Sequence, residues 1–276
     1  VRKWVPPHEK EIGVMKLDDI KLVGVLGGGL MGSAITQNII VSGYKAICRD
    51  LTEDILKNTR SIIVDSRFGM RIGVERGKLT KEQMEKALAN LTLTTRVEDM
   101  KNCDIIIETI GGGDPRQLED KGLKLRVFAE LDKLVKKECI FTTNTSVFTI
   151  ADIAKAVERK DRFIGMHWFR PANILKAVEL TYTADNTEEI IQIMEGFCKK
   201  LGKVPVRVKD VPGDTGFIGN RLFGVVMREA RKMVEEGIAS PQDIDTVMRE
   251  GYGWTLGIFE MVGQTRDPRQ RTGQSH

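Results

Sequence analysis

Lys21–Asp50 reads KLVGVLGGGLMGSAITQNIIVSGYKAICRD, and the order of its parts decides the fold. Lys21–Leu26 is a short buried-strand pattern that runs into glycine. Leu30–Ser42 follows with apolar residues at helical spacing, Leu30, Ala34, Ile35, Ile39 and Val41. Gly43 stops that helix, and Tyr44–Asp50 is a second strand. Between strand and helix, Gly27-Gly28-Gly29-Leu30-Met31-Gly32 matches GxGxxG. Alone the match is weak, because a glycine-rich strand–helix turn needs no ligand. Placed after a strand, before a helix and ahead of an acid ending the next strand, it reads as a dinucleotide site. Gly27 makes the tight turn, Gly29 lets the backbone approach a pyrophosphate, and Gly32 permits close helix–strand packing. Leu30 and Met31 open the helix, whose unpaired N–H groups face the phosphates. Asp50 would accept hydrogen bonds from the adenine ribose, favouring NAD over NADP, a preference that adjacent Arg49 tempers slightly.

The same alternation continues outward. Thr52 caps a long helical region running into the seventies, and Thr80 with Gln83 forms a capping box for Lys81–Asn90. Leu91–Thr95, Cys103–Glu108, Cys139–Thr143 and Phe163–Met166 are strand-like runs, separated later by helical patterns at Gly122–Lys136 and Ile150–Glu158. This predicts an α/β fold, Rossmann-type and doubly wound, with a mainly parallel sheet. After Val204–Val208, Pro205, Pro212 and Gly213 mark a linker to a smaller all-α domain, with helices over Phe217–Glu236 and Gln242–Glu250, the latter capped by Ser240-Pro241. The expected organisation is a leader at 1–20, an NAD-binding domain at 21–208, a helical domain at 209–263 and a tail at 264–276. That tail, QTRDPRQRTGQSH, has no aliphatic or aromatic residue and is expected to be disordered.

Composition narrows the function. The chain has 276 residues, 41% hydrophobic and 30% charged, with a net charge of +4. These values suit two ordinary globular domains. Both charge signs are mixed throughout, so no nucleic-acid partner is expected. Apolar runs such as Ile105–Ile107 are far shorter than a membrane span, so no membrane partner is expected. The leader carries Glu9, Glu11, Asp18 and Asp19, unlike a secretory or transit segment. Cys48, Cys103, Cys139 and Cys198 form no CxxC pair and point to a reducing, cytoplasmic setting. Of three histidines only His167 lies inside the folded pattern, so no metal site is expected.

His167 ends FIGMHWF, where the strand over 163–166 runs out, and Glu179 lies in the strand-like Lys176–Leu180. Pro171 and Asn173 occupy the connection. A strand, turn and returning strand would bring imidazole and carboxylate within hydrogen-bond reach, which suits a base that takes an alcohol proton while hydride leaves the same carbon. The same spacing equally fits a structural histidine and a surface glutamate. Asn144-Thr145-Ser146 reads on its own as turn chemistry. Asn220, early in the long helix, is unremarkable by itself.

Together GGGLMG, RDLTEDIL, TNTS, GMHWFRP, AVEL, GFIGNRL and GYGW…GIFE resemble, in order, the L-3-hydroxyacyl-CoA dehydrogenases, over about Lys21 to Val262. The resemblance implies NAD-dependent oxidation of an L-3-hydroxyacyl-CoA to the 3-ketoacyl-CoA, in fatty-acid or related acyl-CoA metabolism. It implies His167 as general acid/base with Glu179 as its partner, and Ser146 touching both substrate and nicotinamide. Asn220 would help complete the site from the helical domain, with Asp50 on the ribose. Glu119 and Lys124 match cofactor contacts, and Ser66 matches a position that approaches CoA. Three departures accompany it. Phe169-Arg170-Pro171 stands where the family reads Phe-Asn-Pro. Gly111–Gln117 looks like an insertion before Glu119. The helical domain ends early, so a family dimer is expected to be altered or weakened. Two other readings share these residues: a same-fold dehydrogenase of a polyol acid such as L-gulonate, and a catalytically weak dinucleotide-binding or structural protein.

Overall fold

Residues 15–111, 119–211, 213 and 216–263 are described by the computed structural model of the chain. The expected leader thus lies largely, and the expected tail entirely, outside the described residues, as does most of the Gly111–Gln117 insertion. The chain divides into two compact units, Val1–Thr215 and Gly216–His276.

The first unit opens with β1 (Leu22–Leu26), α1 (Leu30–Val41) and β2 (Lys45–Arg49), followed by α2 (Glu53–Asp65), α3 (Met70–Glu75), α4 (Lys81–Ala89) and β3 (Leu91–Thr94). Next come β4 (Ile105–Glu108), α5 (Lys121–Leu134), β5 (Ile140–Thr143), α6 (Ile150–Ala154) and β6 (Phe163–Trp168). β7 (Ala177–Tyr182), α7 (Glu188–Lys200) and β8 (Val204–Lys209) complete it. The strand order is β3-β2-β1-β4-β5-β6-β7-β8. β1 to β6 are parallel, β7 runs antiparallel to β6, and β8 is parallel to β7. The first six strands therefore have the doubly wound order, with its switch point between β1 and β4, where the ends of the strands open a crevice for ligands.

Burial on both faces explains the continuous apolar strands. Ile105 and Ile107 pack into the core formed with Ile39, Ile40 and Phe197. Ile106 points the other way, beside Met100 and Cys103. On that second face Phe128 lies edge-on to Phe163 at 4.7 Å and tilted to Phe141 at 5.5 Å. Buried acids staple distant segments. Asp104 accepts the N–H groups of Lys21 and Leu22 (2.7 and 2.8 Å), and Asp210 accepts those of Ile150 and Ala151 (3.0 and 2.8 Å), capping α6.

Several elements differ from the pattern read in the sequence. The long helical region after Thr52 is two helices, broken over Ser66–Gly69, where the chain turns so closely that a Cβ at Gly69 would lie 2.6 Å from the Val64 carbonyl oxygen. β6 extends through Trp168, so His167 lies within the strand. α7 has no counterpart in the sequence reading, yet Thr187 caps it and Ile190, Ile191, Met194 and Phe197 bury one face. α6 stops at Ala154, and β8 runs to Lys209.

The second unit contains α8 (Gly219–Glu235), α9 (Pro241–Thr246), a wide turn at Val247–Gly251, and α10 (Ile258–Met261). Met227, Ala230 and Val234 of α8 pack with Ile244, Ile258 and Phe259. The buried Asp245 accepts the N–H groups of Phe259 and Glu260 (2.8 and 3.1 Å) at the start of α10. A Cβ at Gly257 would sit 2.3 Å from that carboxyl group, which explains glycine in GIFE.

Candidate active site

The C-terminal ends of β1, β2, β4, β5 and β6 carry the polar groups of the first unit. After β1, Gly27 adopts φ +96° and donates its N–H to the Arg49 carbonyl (2.9 Å). A Cβ at Gly32 would lie 1.7 Å from the Gly27 oxygen, so α1 approaches the turn as closely as only glycine allows. A Cβ at Gly29 would meet nothing within 4 Å, and no side chain caps the helix that starts at Leu30. Its first N–H groups, including those of Leu30 and Met31, lack intrahelical acceptors.

Gly28 is held from three sides. Its N–H donates to Asp50 Oδ2 (2.5 Å), and its carbonyl accepts the hydroxyls of Ser33 and Thr59 (both 2.8 Å). Asp50 Oδ1 also accepts the Leu51 N–H at 2.6 Å. Arg49 donates its Nε to the Thr95 carbonyl (3.2 Å), drawing that cation toward the end of β3.

Glu108, at the end of β4, centres a buried network that the sequence reading omitted. Its carboxylate accepts the Ile110 N–H (2.5 Å), Lys124 Nζ (2.6 Å) and the Thr143 hydroxyl (2.6 Å). Lys124 Nζ also bonds the Ile110 carbonyl (2.9 Å) and faces Glu119 Oε2 at 3.3 Å. Glu119 Oε1 accepts the backbone N–H and the hydroxyl of Ser146 (2.8 and 3.2 Å). Glu119, Lys124 and Ser146 are thus linked, and Glu108 and Lys124 are fully buried. The signal was present: IIIE ends an otherwise apolar strand with a carboxylate, which demands a partner.

His167 and Glu179 are register partners on β6 and β7. Direct cross-strand pairing puts both side chains on one face, and His167 Nδ1 lies 2.7 Å from Glu179 Oε2, both groups buried. A neutral imidazole that donates its Nδ1–H to this carboxylate carries its lone pair on Nε2. Asn144 Oδ1 accepts the Trp168 N–H (2.8 Å), and Phe169 lies 5.0 Å from the imidazole, ring to ring. Arg170 is exposed and its side chain has no hydrogen bond or ion pair with the described residues. Ser66 sits half-buried in the α2–α3 loop, its carbonyl accepting the Gly69 N–H (2.7 Å). Asn220 is an exposed residue in the first turn of α8, in the second unit. Among the described residues no group of three or more His, Cys, Asp or Glu side chains is arranged to hold a metal ion.

The model of the NAD binding domain of 3-hydroxyacyl-CoA dehydrogenase matches residues 22–211, and that of its C-terminal domain matches residues 216–265. The mitochondrial hydroxyacyl-coenzyme A dehydrogenase of Rattus norvegicus is 38% identical over 246 residues, spanning 88% of this chain and 75% of the relative. A probable 3-hydroxybutyryl-CoA dehydrogenase of Deinococcus radiodurans is 32% identical over 239 residues, 87% of this chain and 81% of its own. Among solved structures, FadB2 of M. tuberculosis superimposes with a TM-score of 0.81 at 29% identity, covering 93% of this chain and 90% of that one. The (S)-3-hydroxybutyryl-CoA dehydrogenase of Ralstonia eutropha gives 0.79 at 30% identity, covering 89% and 84%.

Proposed function

The chain belongs to the 3-hydroxyacyl-CoA dehydrogenase family, and from that premise we propose that His167, with Glu179, moves the proton when an L-3-hydroxyacyl-CoA is oxidised to the 3-ketoacyl-CoA. One observation carries the reading: a 2.7 Å imidazole–carboxylate pair on β6 and β7, in the sheet whose first strand ends in the glycine turn.

The residues present fit NAD. The open face of Gly29 and the uncapped start of α1 suit a pyrophosphate, and Asp50 suits a ribose diol. Glu119, Lys124 and Ser146 form the polar wall after β4 and β5. Bound NAD supplies the hydride acceptor. Glu179 holds Nδ1 protonated and the ring oriented, so Nε2 receives the hydroxyl proton; the carboxylate then stabilises the imidazolium that forms. Ser146 orients the substrate, and Ser66 contacts the CoA part. Buried free thiols at all four cysteines suit a reducing, cytoplasmic setting. No helix among the described residues is long and apolar enough to cross a membrane. The direct test is acetoacetyl-CoA reduction followed by NADH absorbance. Turnover with NADH supports the reading, and none with any 3-ketoacyl-CoA overturns it.

A further inference from the structure

We infer that Asn173 is a positioning residue: its side-chain amide fastens the loop leaving His167 to the loop carrying Ser66, and so sets the spacing between the proton-transfer pair and the acyl-CoA contact. The inference rests on the functional reading above for the part each loop plays, and on geometry for the link itself. Asn173 Nδ2 donates to the Phe68 carbonyl (2.7 Å) and to Gln37 Oε1 (3.1 Å). Gln37 Nε2 donates to the same Phe68 carbonyl (3.1 Å). Three segments far apart in sequence meet in this clasp: α1, the α2–α3 loop and the β6–β7 connection.

A clasp transmits position only if the segments it joins are stiff. The β6–β7 connection is. Ile174 and Leu175 donate their N–H groups to the Pro171 carbonyl (3.0 and 2.9 Å), closing it into a compact turn. Beneath it, Lys203 donates to the carbonyls of Ala172 and Leu175 (2.7 and 2.9 Å) and lies 5.3 Å from the centre of the Trp168 ring. That ammonium is buried with no carboxylate in ion-pair range among the described residues, and burial lowers its pKa. A buried cation is costly unless its donors are satisfied, so Lys203 acts through the two carbonyls it holds. With the turn pinned from below and β6 fixed by register to β7, Asn173 can hold Phe68, and Ser66 two residues before it, at a set place relative to His167.

The experiment compares wild type with Asn173→Ala, Asn173→Asp, Gln37→Leu and Asn173→Ala/Gln37→Leu. Asn173→Asp keeps the size but aims an acceptor at the Phe68 carbonyl. The expected result is a KM for acetoacetyl-CoA raised about tenfold in Asn173→Ala, as loss of one or two hydrogen bonds gives, and more in Asn173→Asp. The kcat and the NADH affinity by fluorescence stay within about twofold, and the KM increase of the double variant falls short of the product of the two single increases, that is, the two changes are non-additive. Unchanged KM in both Asn173 variants overturns the inference, as does an equal loss of NADH affinity. Hydrogen exchange supplies a readout without substrate: in Asn173→Ala, residues 66–69 and 171–175 should exchange faster together. Faster exchange in 171–175 alone overturns the coupling. A wild type that fails to turn over acetoacetyl-CoA faults the functional reading instead, and the exchange result still decides the clasp.

Discussion

His167 shows how one residue takes its chemistry from another. Glu179 Oε2 lies 2.7 Å from Nδ1, and in the proposed mechanism that contact gives the proton-accepting role to Nε2. His167→Gln is expected to lower kcat by about 10²–10⁴-fold, the usual worth of a positioned acid/base, with NADH affinity unchanged. Glu179→Gln should lose less, since its part is orientation and charge. Steady-state rates and fluorescence titration check both, and a His167→Gln rate within a fewfold of wild type overturns the assignment. In the proposed site Asp50 sets the cofactor preference. A 2′-phosphate there meets a carboxylate that already accepts two N–H groups, while Arg49 is engaged with Thr95. NADH should therefore bind much more tightly than NADPH. Equal affinities in the same titration would refute this.

At the scale of elements, the ends of β4 and β5 are joined to α5 by a buried cation shared between two acids. Lys124 Nζ lies 2.6 Å from Glu108 and 3.3 Å from Glu119. Lys124→Met would leave both carboxylates without their counter-ion. Breaking a buried pair this way costs about 3–5 kcal/mol, or roughly 10 °C of Tm for a domain of this size. Thermal denaturation followed by circular dichroism measures it, and a loss under about 2 °C would show that water replaces the lysine. Glu108→Gln, which leaves Lys124 paired with Glu119, should cost less.

For the whole molecule, four buried thiols make stability depend on alkaline pH. Burial pushes Cys48, Cys103 and Cys198 from 9.0 up to about 12, and Cys139 also upward. In the unfolded chain these thiols ionise near pH 9 while the native ones stay protonated. The native state then binds more protons, and stability present below pH 9 is lost as pH rises toward 12. Tyr44, raised by burial, acts in the same sense; Lys203, lowered, acts in the opposite one but is a single group. Urea midpoints should fall between about pH 8 and 10.5, and an unchanged midpoint would show the thiols to be solvated. The second unit bears on association. Leu222, Val225, Val247 and Tyr252 are more than half exposed, and Val225, Val247 and Tyr252 line a groove of 640 Å³. Apolar exposure of this kind favours self-association. Light scattering should show an oligomer that dissociates to single chains on dilution, and limited proteolysis should cut within 216–263. A monodisperse, protease-resistant dimer would contradict both expectations.

The sequence by itself determined the doubly wound fold, because strand, glycine turn, helix and acid succeed one another within Lys21–Asp50, and local periodicity and capping act over a few residues. It also determined which residues were candidates: His167 stands alone inside the pattern, and Asp50 ends a strand after GGGLMG. Only the tertiary structure decided what those candidates touch. The antiparallel reversal of β7 makes Glu179 the register partner of His167. Folding of α5 onto the ends of β4 and β5 gathers Glu108, Lys124, Glu119 and Ser146, and the break between α2 and α3 exposes the Phe68 carbonyl to Asn173. Such contacts join residues from 12 positions apart, for His167 and Glu179, to 136, for Asn173 and Gln37. Their geometry follows from how whole layers pack, and no local stretch of residues encodes that packing by itself.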